Sequence, residues 1–178
     1  MAEEIWRTIR EELSDLRDAA GFTRVLVRLT IAAILGGVLG YEREHKGKAA
    51  GLRTHMLVAM GAALFVMVPE QAGATDSDLS RVLQGLVAGI GFLGAGSIVK
   101  GTSENAVHGL TTAAGIWLTA AIGMAAGIGR ELTAIVSTVL AWVVLSVLPG
   151  PTQAKSRRVI VAGEERPPED DADRKTAT

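Results

Sequence analysis

The sequence predicts an all-α integral membrane protein, a bundle of about five transmembrane helices preceded by an amphipathic N-terminal helix. Three observations predict it. The chain is 48% hydrophobic with a net charge of −1, and its charges lie mostly outside a few long apolar runs. The run over residues 82–99 carries no ionisable group and makes about 27 Å of helix, roughly one bilayer core. Its small residues fall in strips on that helix. Gly85, Gly89 and Gly96 share one strip, and Ala88, Gly91 and Ala95 lie nearly opposite. Leu86, Ile90 and Leu93 stand between them. In lipid, small residues let helix backbones approach closely. This glycine helix is therefore expected at the centre of the bundle, with Gly94 in the same stretch.

The elements follow in order. Residues 1–21 place Ile5, Ile9, Leu13, Leu16 and Ala20 on one face, with Trp6 beside them and charges elsewhere. This is an amphipathic helix, expected on the membrane surface or against the bundle. Residues 22–150 form the transmembrane domain. The first span, 25–41, carries Arg28 one turn inside it, where it either snorkels to the headgroups or finds an interior carboxylate. Gly36 and Gly40 form a small-xxx-small pair. A dense charge cluster, 42–53, leads to the second span, 52–68, closed by Pro69. A polar segment, 70–81, precedes the glycine helix. The loop 100–108 leads to the fourth span, 109–127, which carries Gly123 and Gly127 as another close-packing pair. A short turn gives the fifth span, 132–148. Residues 151–178 are rich in Pro and charge and are expected to be a disordered tail.

Arg43, Lys46, Lys48, Arg53, Lys100, Lys155, Arg157, Arg158 and Arg166 fall on one side of such a bundle. Arg7, Arg10, Arg17, Arg24, Arg81 and Arg130 fall on the other. The bias predicts a periplasmic N-terminus and a cytoplasmic C-terminus. One internal echo is visible. Gly51-Leu-Arg-Thr to Ala62-Ala63 parallels Gly109-Leu-Thr-Thr to Ala120-Ala121 without gaps. Spans one–two and three–four then read as parallel repeats.

Several function classes are disfavoured. The absence of cysteine removes disulfides and thiolate metal sites. The near-neutral charge and scarce aromatics give no nucleic-acid surface. No cleavable signal peptide is expected, because residues 1–21 are charged throughout. Gly89-x-Gly91-x-x-Gly94 matches a dinucleotide pattern but lacks the strand and soluble sheet that pattern needs. The three histidines, His45, His55 and His108, are dispersed, and no phosphate-binding glycine-lysine loop exists. No enzymatic role is expected, and no cofactor, although magnesium remains a candidate ligand.

The candidate functional residues are polar. Glu42 ends the first span where the helix dipole is negative, and Arg53 opens the second where it is positive. Each has the wrong sign for its helix end, so the two are expected to face each other across the hairpin. Arg43, Glu44 and Thr54 join this candidate site at the bundle's mouth. Asp78 and Arg81 fit the amino end of the glycine helix. Thr111 and Thr112 cap the fourth helix or bind a ligand at its start. Trp117 is expected in bundle packing. Trp6 and Trp142 are expected to face lipid or the interface.

Three blocks of sequence carry a resemblance. Gly40-Tyr-Glu-Arg-Glu-x-x-Gly-Lys-x-Ala-Gly-Leu-Arg-Thr-His55 is one. Asp78-x-Ser-Arg81 followed by Gly89-Ile-Gly-Phe-Leu-Gly-Ala-Gly96 is the second, and Gly109-Leu-Thr-Thr-Ala-Ala-Gly-Ile-Trp117 the third. In order and spacing, over about residues 24–148, the chain resembles the MgtC/SapB family of membrane proteins. Leu79 stands where proline is common in that family. A short charged tail stands where many members carry a soluble domain. The resemblance implies a bacterial inner-membrane protein linked to growth in low magnesium. It implies an accessory or regulatory role through a membrane partner such as a transport ATPase or the ATP synthase. The alternative is a magnesium or other cation transporter or channel. The bilayer is an expected partner, a homo-oligomer an allowed one, and nucleic acid is not.

Overall fold

The computed structural model describes residues 1–12, 19–100 and 107–148. The expected disordered tail and residues 13–18 of the predicted leader helix lie outside these. Six helices follow in order: α1 (Ala2–Glu12), α2 (Ala19–His45), α3 (Leu52–Gln71), α4 (Asp76–Gly96), α5 (Leu110–Gly127) and α6 (Glu131–Val147). A two-residue antiparallel pair, β1 (Val99–Lys100) with β2 (Val107–His108), sits between α4 and α5 and aligns Val99 with His108. Among the described residues the protein is all-α apart from this pair.

Helices α2, α3, α4 and α5 are each long and apolar enough to cross a membrane. Helix α6, with 17 residues, is at the lower end of the spanning range of roughly 17–25. Their outer faces carry exposed large apolar groups, among them Leu57, Phe65, Phe92, Leu140 and Trp142. Water would make such surfaces costly, whereas lipid solvates them.

The helices run longer than their apolar cores. Helix α2 takes in Arg24 at one end and the charged Glu42 to His45 at the other. Helix α3 continues through Pro69 to Gln71. Helix α4 starts at Asp76 because Thr75 caps it. The Thr75 hydroxyl accepts from the Asp78 amide, and the Asp78 carboxylate accepts from the Thr75 amide at 3.1 Å. This reciprocal arrangement satisfies amide donors that a helix start leaves open.

The core lies among α2, α3, α5 and α6, where Ala32, Leu35, Leu39, Ala59, Ala63, Ile122, Ala126, Ala134 and Ala141 pack together. No α4 residue belongs to it. This overturns the expectation that the glycine helix is central. A Cβ built on Gly85, Gly89, Gly91 or Gly96 would meet nothing within 4 Å, and only Gly94 is buried, against Ala113 of α5. Within one chain, α4 flanks α3 and α5.

Helix α3 is the central element. Gly36 of α2 packs where an added Cβ would lie 2.6 Å from the His55 carbonyl, and Gly40 where it would lie 2.7 Å from the Leu52 Cα. On the other side, Gly123 closes on the backbone of Ala59, and Gly127 on that of Ala63. Contacts with α2 run in opposite chain directions, so α2 and α3 are antiparallel. Contacts with α5 advance together, so α3 and α5 are parallel. The two segments that echo each other in sequence thus begin two parallel helices, at Leu52 and Leu110.

Candidate functional site

The charged end of α2 folds inward. Glu42 is 7% exposed and Arg43 3%. Arg43 Nε donates to Glu42 Oε2. Lys46, one turn on, places Nζ 2.7 Å from Glu42 Oε1. The same Nζ donates to the Leu145 carbonyl at 2.6 Å, and Arg43 Nη2 reaches that carbonyl at 3.5 Å. Leu145 lies in the last turn of α6, where carbonyls have no helical partner and the dipole end is negative. Two cations, Arg43 at the end of α2 and Lys46 just beyond it, therefore neutralise Glu42 and cap α6.

This geometry corrects the expected Glu42–Arg53 pair. Arg53 is exposed, and no ion pair to it occurs among the described residues. The carboxylate that reaches α3 is Glu44, whose Oε2 accepts from the Leu52 amide at 2.8 Å. An anion at a helix start has the favourable sign. Each helix end is thus compensated by a group near at hand. Thr54 is half-buried beside this turn.

One turn into α3 lies His55, fully buried. Its Nδ1 is 3.0 Å from the Gly51 carbonyl. A carbonyl only accepts, so Nδ1 carries the proton and Nε2 is left as an acceptor. Nε2 has no hydrogen-bond partner among the described residues and faces Gly115 of α5. Thr112 and Thr119, three before and four after Gly115, lie on the same helical face and are both buried. The Thr119 hydroxyl donates to the Gly115 carbonyl at 2.8 Å. Among the described residues the buried polar side chains are these five, Glu42, Arg43, His55, Thr112 and Thr119, together with Thr138 of α6.

Thr111 and Thr112 do not cap α5. The cap position is Gly109, at φ +92°, with no side-chain cap bond. There only glycine is unstrained, and an added Cβ would collide with the Ser97 backbone. Thr111 faces outward and Thr112 inward. Trp117 is about half exposed rather than packed inside.

At the opposite end, Arg28 faces the bundle instead of snorkelling. Its Nη1 donates at 2.8 Å to both Glu70 Oε2 of α3 and the Gly127 carbonyl that ends α5. An arginine within an apolar helix was the signal for this clamp. The sequence offered no comparable signal for Glu70, which follows Pro69 in what read as loop. Asp78 and Arg81 form an exposed pair at 3.2 Å, joined to neither polar site. Among the described residues, no three His, Asp or Glu side chains are grouped to hold a metal ion.

The MgtC family model matches residues 29–153, more than half of the chain. The chain belongs to the MgtC family. Among curated relatives, this MgtC-family chain is 46% identical to Protein SrpB of Synechococcus elongatus, over 67% of its own length and 71% of that protein. It is 46% identical to the Putative magnesium transporter YhiD of Escherichia coli K12, over 68% of its length and 59% of that protein. It is 47% identical to Protein MgtC of Brucella abortus, over 61% of its length and 44% of that protein. The match thus spans about half of the last two relatives. No solved structure matches. The MgtC assignment and the apolar helices together make this a multi-pass membrane protein.

Proposed function

We propose that this MgtC-family protein is an accessory or regulatory membrane protein in magnesium homeostasis and low-magnesium growth, acting through a membrane partner rather than carrying the ion itself. One observation carries this reading. The two carboxylates that ion pairs hold at the ends of the bundle are already neutralised by cations of the same chain: Glu42 by Arg43 and Lys46, Glu70 by Arg28. A magnesium path favours hard oxygen ligands, with carboxylates left free for the ion. Here those oxygens hold the helices together. The partner is a transport ATPase or the ATP synthase, in a bacterial inner membrane, and the protein performs no catalysis of its own.

The second reading, a magnesium or cation transporter, has support in the name of the YhiD relative. The buried line of His55, Thr112 and Thr119 beside Gly115 also favours it, since polar groups inside spans mark pathways. Reconstitution separates the two. Purified protein in vesicles is expected to give no magnesium flux above empty vesicles. Co-purification from native membrane is expected to retain a partner, and loss of that partner is expected to abolish the low-magnesium growth benefit. Magnesium flux from the purified chain alone would replace the first reading with the second.

A further inference from the structure

We propose that the space beside Gly115 is a binding site for one small neutral hydrogen-bond donor, a water molecule, held on His55 Nε2 between α3 and α5. Three observations carry it. The first is an unsatisfied acceptor. The His55 ring is fully buried, its Nδ1 proton is committed to the Gly51 carbonyl, and Nε2 has no partner among the described residues. Buried acceptors in folded proteins are satisfied by protein or by ordered water.

The second is room. Where α5 meets α3 at Gly127, an added Cβ would lie 2.7 Å from the Ala63 carbonyl. At Gly115 an added Cβ would meet a single atom within 4 Å, and that atom is His55 Nε2, at 3.6 Å. The two helices close on each other at Gly123 and Gly127, whereas at Gly115 an added methyl would stand at ordinary contact distance from the imidazole. The third is polarity. Thr112 and Thr119 are buried on the Gly115 face of α5, and the Thr119 hydroxyl lies on the Gly115 carbonyl. An internal water needs a space of its own size and two or more polar partners. His55 Nε2 is one such partner, and the buried threonine face of α5 is the place for the second.

Protonation of Nε2 is the competing way to change its state. The charged groups acting on the ring are Arg43 and Glu42 of α2, and the α5 residues facing it, Thr112, Gly115 and Thr119, carry no charge. Glu42 is already bound by Arg43 and Lys46.

The test is solid-state NMR of the full chain in bilayers, with histidine nitrogens labelled and magnetisation transferred from water protons. His45 and His108 are exposed, so the His55 signals are assigned by their loss in His55→Gln. The expected result is one protonated and one hydrogen-bonded, unprotonated His55 nitrogen, the latter showing a water cross-peak. Gly115→Ala places a methyl in the space at ordinary contact distance, and is expected to abolish that cross-peak with the melting temperature retained. No water contact in the wild type overturns the proposal. So does a cross-peak unchanged in Gly115→Ala, or two protonated nitrogens at neutral pH. If Gly115→Ala fails to accumulate, the wild-type cross-peak decides alone.

Discussion

Glu42 and Arg43 are consecutive in sequence, yet they form one buried ion pair at the end of α2. Neighbours on a helix point about 100° apart, so such a pair is invisible to reasoning from helical spacing. The far end of the guanidinium points toward α6, with Nη2 3.5 Å from the Leu145 carbonyl. The nearer nitrogen turns back onto the carboxylate.

Glu42→Gln is expected to destabilise the bundle strongly, while Arg53→Gln leaves it intact. Removing the carboxylate strands Arg43 in a buried place, at a cost of about 3–5 kcal/mol for a broken buried pair. Arg53 is exposed and unpaired among the described residues, so its loss stays within roughly 0.5 kcal/mol. Thermal unfolding in detergent and accumulation in the membrane measure both. The exchange Glu42→Arg with Arg53→Glu is expected not to rescue, since the two residues do not meet. Rescue by the exchange would restore the cross-hairpin pair.

The Arg28 clamp predicts an asymmetry between its two partners. Arg28→Ala releases the Gly127 carbonyl and Glu70 together. Its side chain is 15% exposed, so a loss of about 1.5–3 kcal/mol is expected for hydrogen bonds to a charged group. Glu70 is 40% exposed, and Glu70→Gln is expected to cost about 1 kcal/mol or less. Denaturation of the two single variants and the double variant in detergent checks this. Equal losses for the two single variants would mean that the Gly127 bond contributes nothing.

Glycine substitutions are expected to sort by helix rather than by sequence motif. Gly36→Ala and Gly127→Ala drive a methyl to within 2.6–2.7 Å of a carbonyl on α3. Overpacking of this kind costs about 1–3 kcal/mol or more. Gly89→Ala meets nothing within 4 Å in the chain, and replacing glycine in a helix gains up to ~1 kcal/mol of propensity. Even Gly89→Leu is expected to leave the monomer fold intact. Melting temperatures of the detergent-solubilised variants decide this, and a drop for Gly89→Ala comparable with Gly127→Ala would return α4 to the centre.

What was legible in the sequence follows from which forces act locally. Apolar runs placed every spanning helix, because length and hydropathy alone select them. The pairs Gly36/Gly40 and Gly123/Gly127 are real close contacts, whereas the denser glycines of α4 are not. Small residues state that an approach is allowed and not which neighbour makes it. Asp78 was legible at its helix start through its charge alone, and the Thr75 side of that cap was not. The three histidines are dispersed in sequence, so His55 carries no signal of a site there. Its burial depends on Gly40 and Gly115, brought beside it from two other helices.

The orientation of the bundle gives the last prediction. The end holding the α2–α3 turn also receives the ends of α4 and α6. Among the described residues it collects Arg43, Lys46, Lys48, Arg53 and Lys100. The opposite end holds Arg24, Arg28, Arg81 and Arg130, with Arg28 turned inward onto Glu70 and Gly127. Lys and Arg near span ends are retained on the cytoplasmic side, and acidic residues contribute little. The Lys48 end is therefore expected to face the cytoplasm, and the turn around Ser77 the periplasm. Both residues are exposed, so single cysteines there leave the packing untouched, and the native chain has no cysteine to confuse the labelling. In intact cells, a membrane-impermeant thiol reagent is expected to modify Ser77→Cys and to miss Lys48→Cys until the membrane is opened. The reverse pattern would invert the bundle and place the Glu42–Arg43–Lys46 cluster on the outer face, away from any cytoplasmic partner.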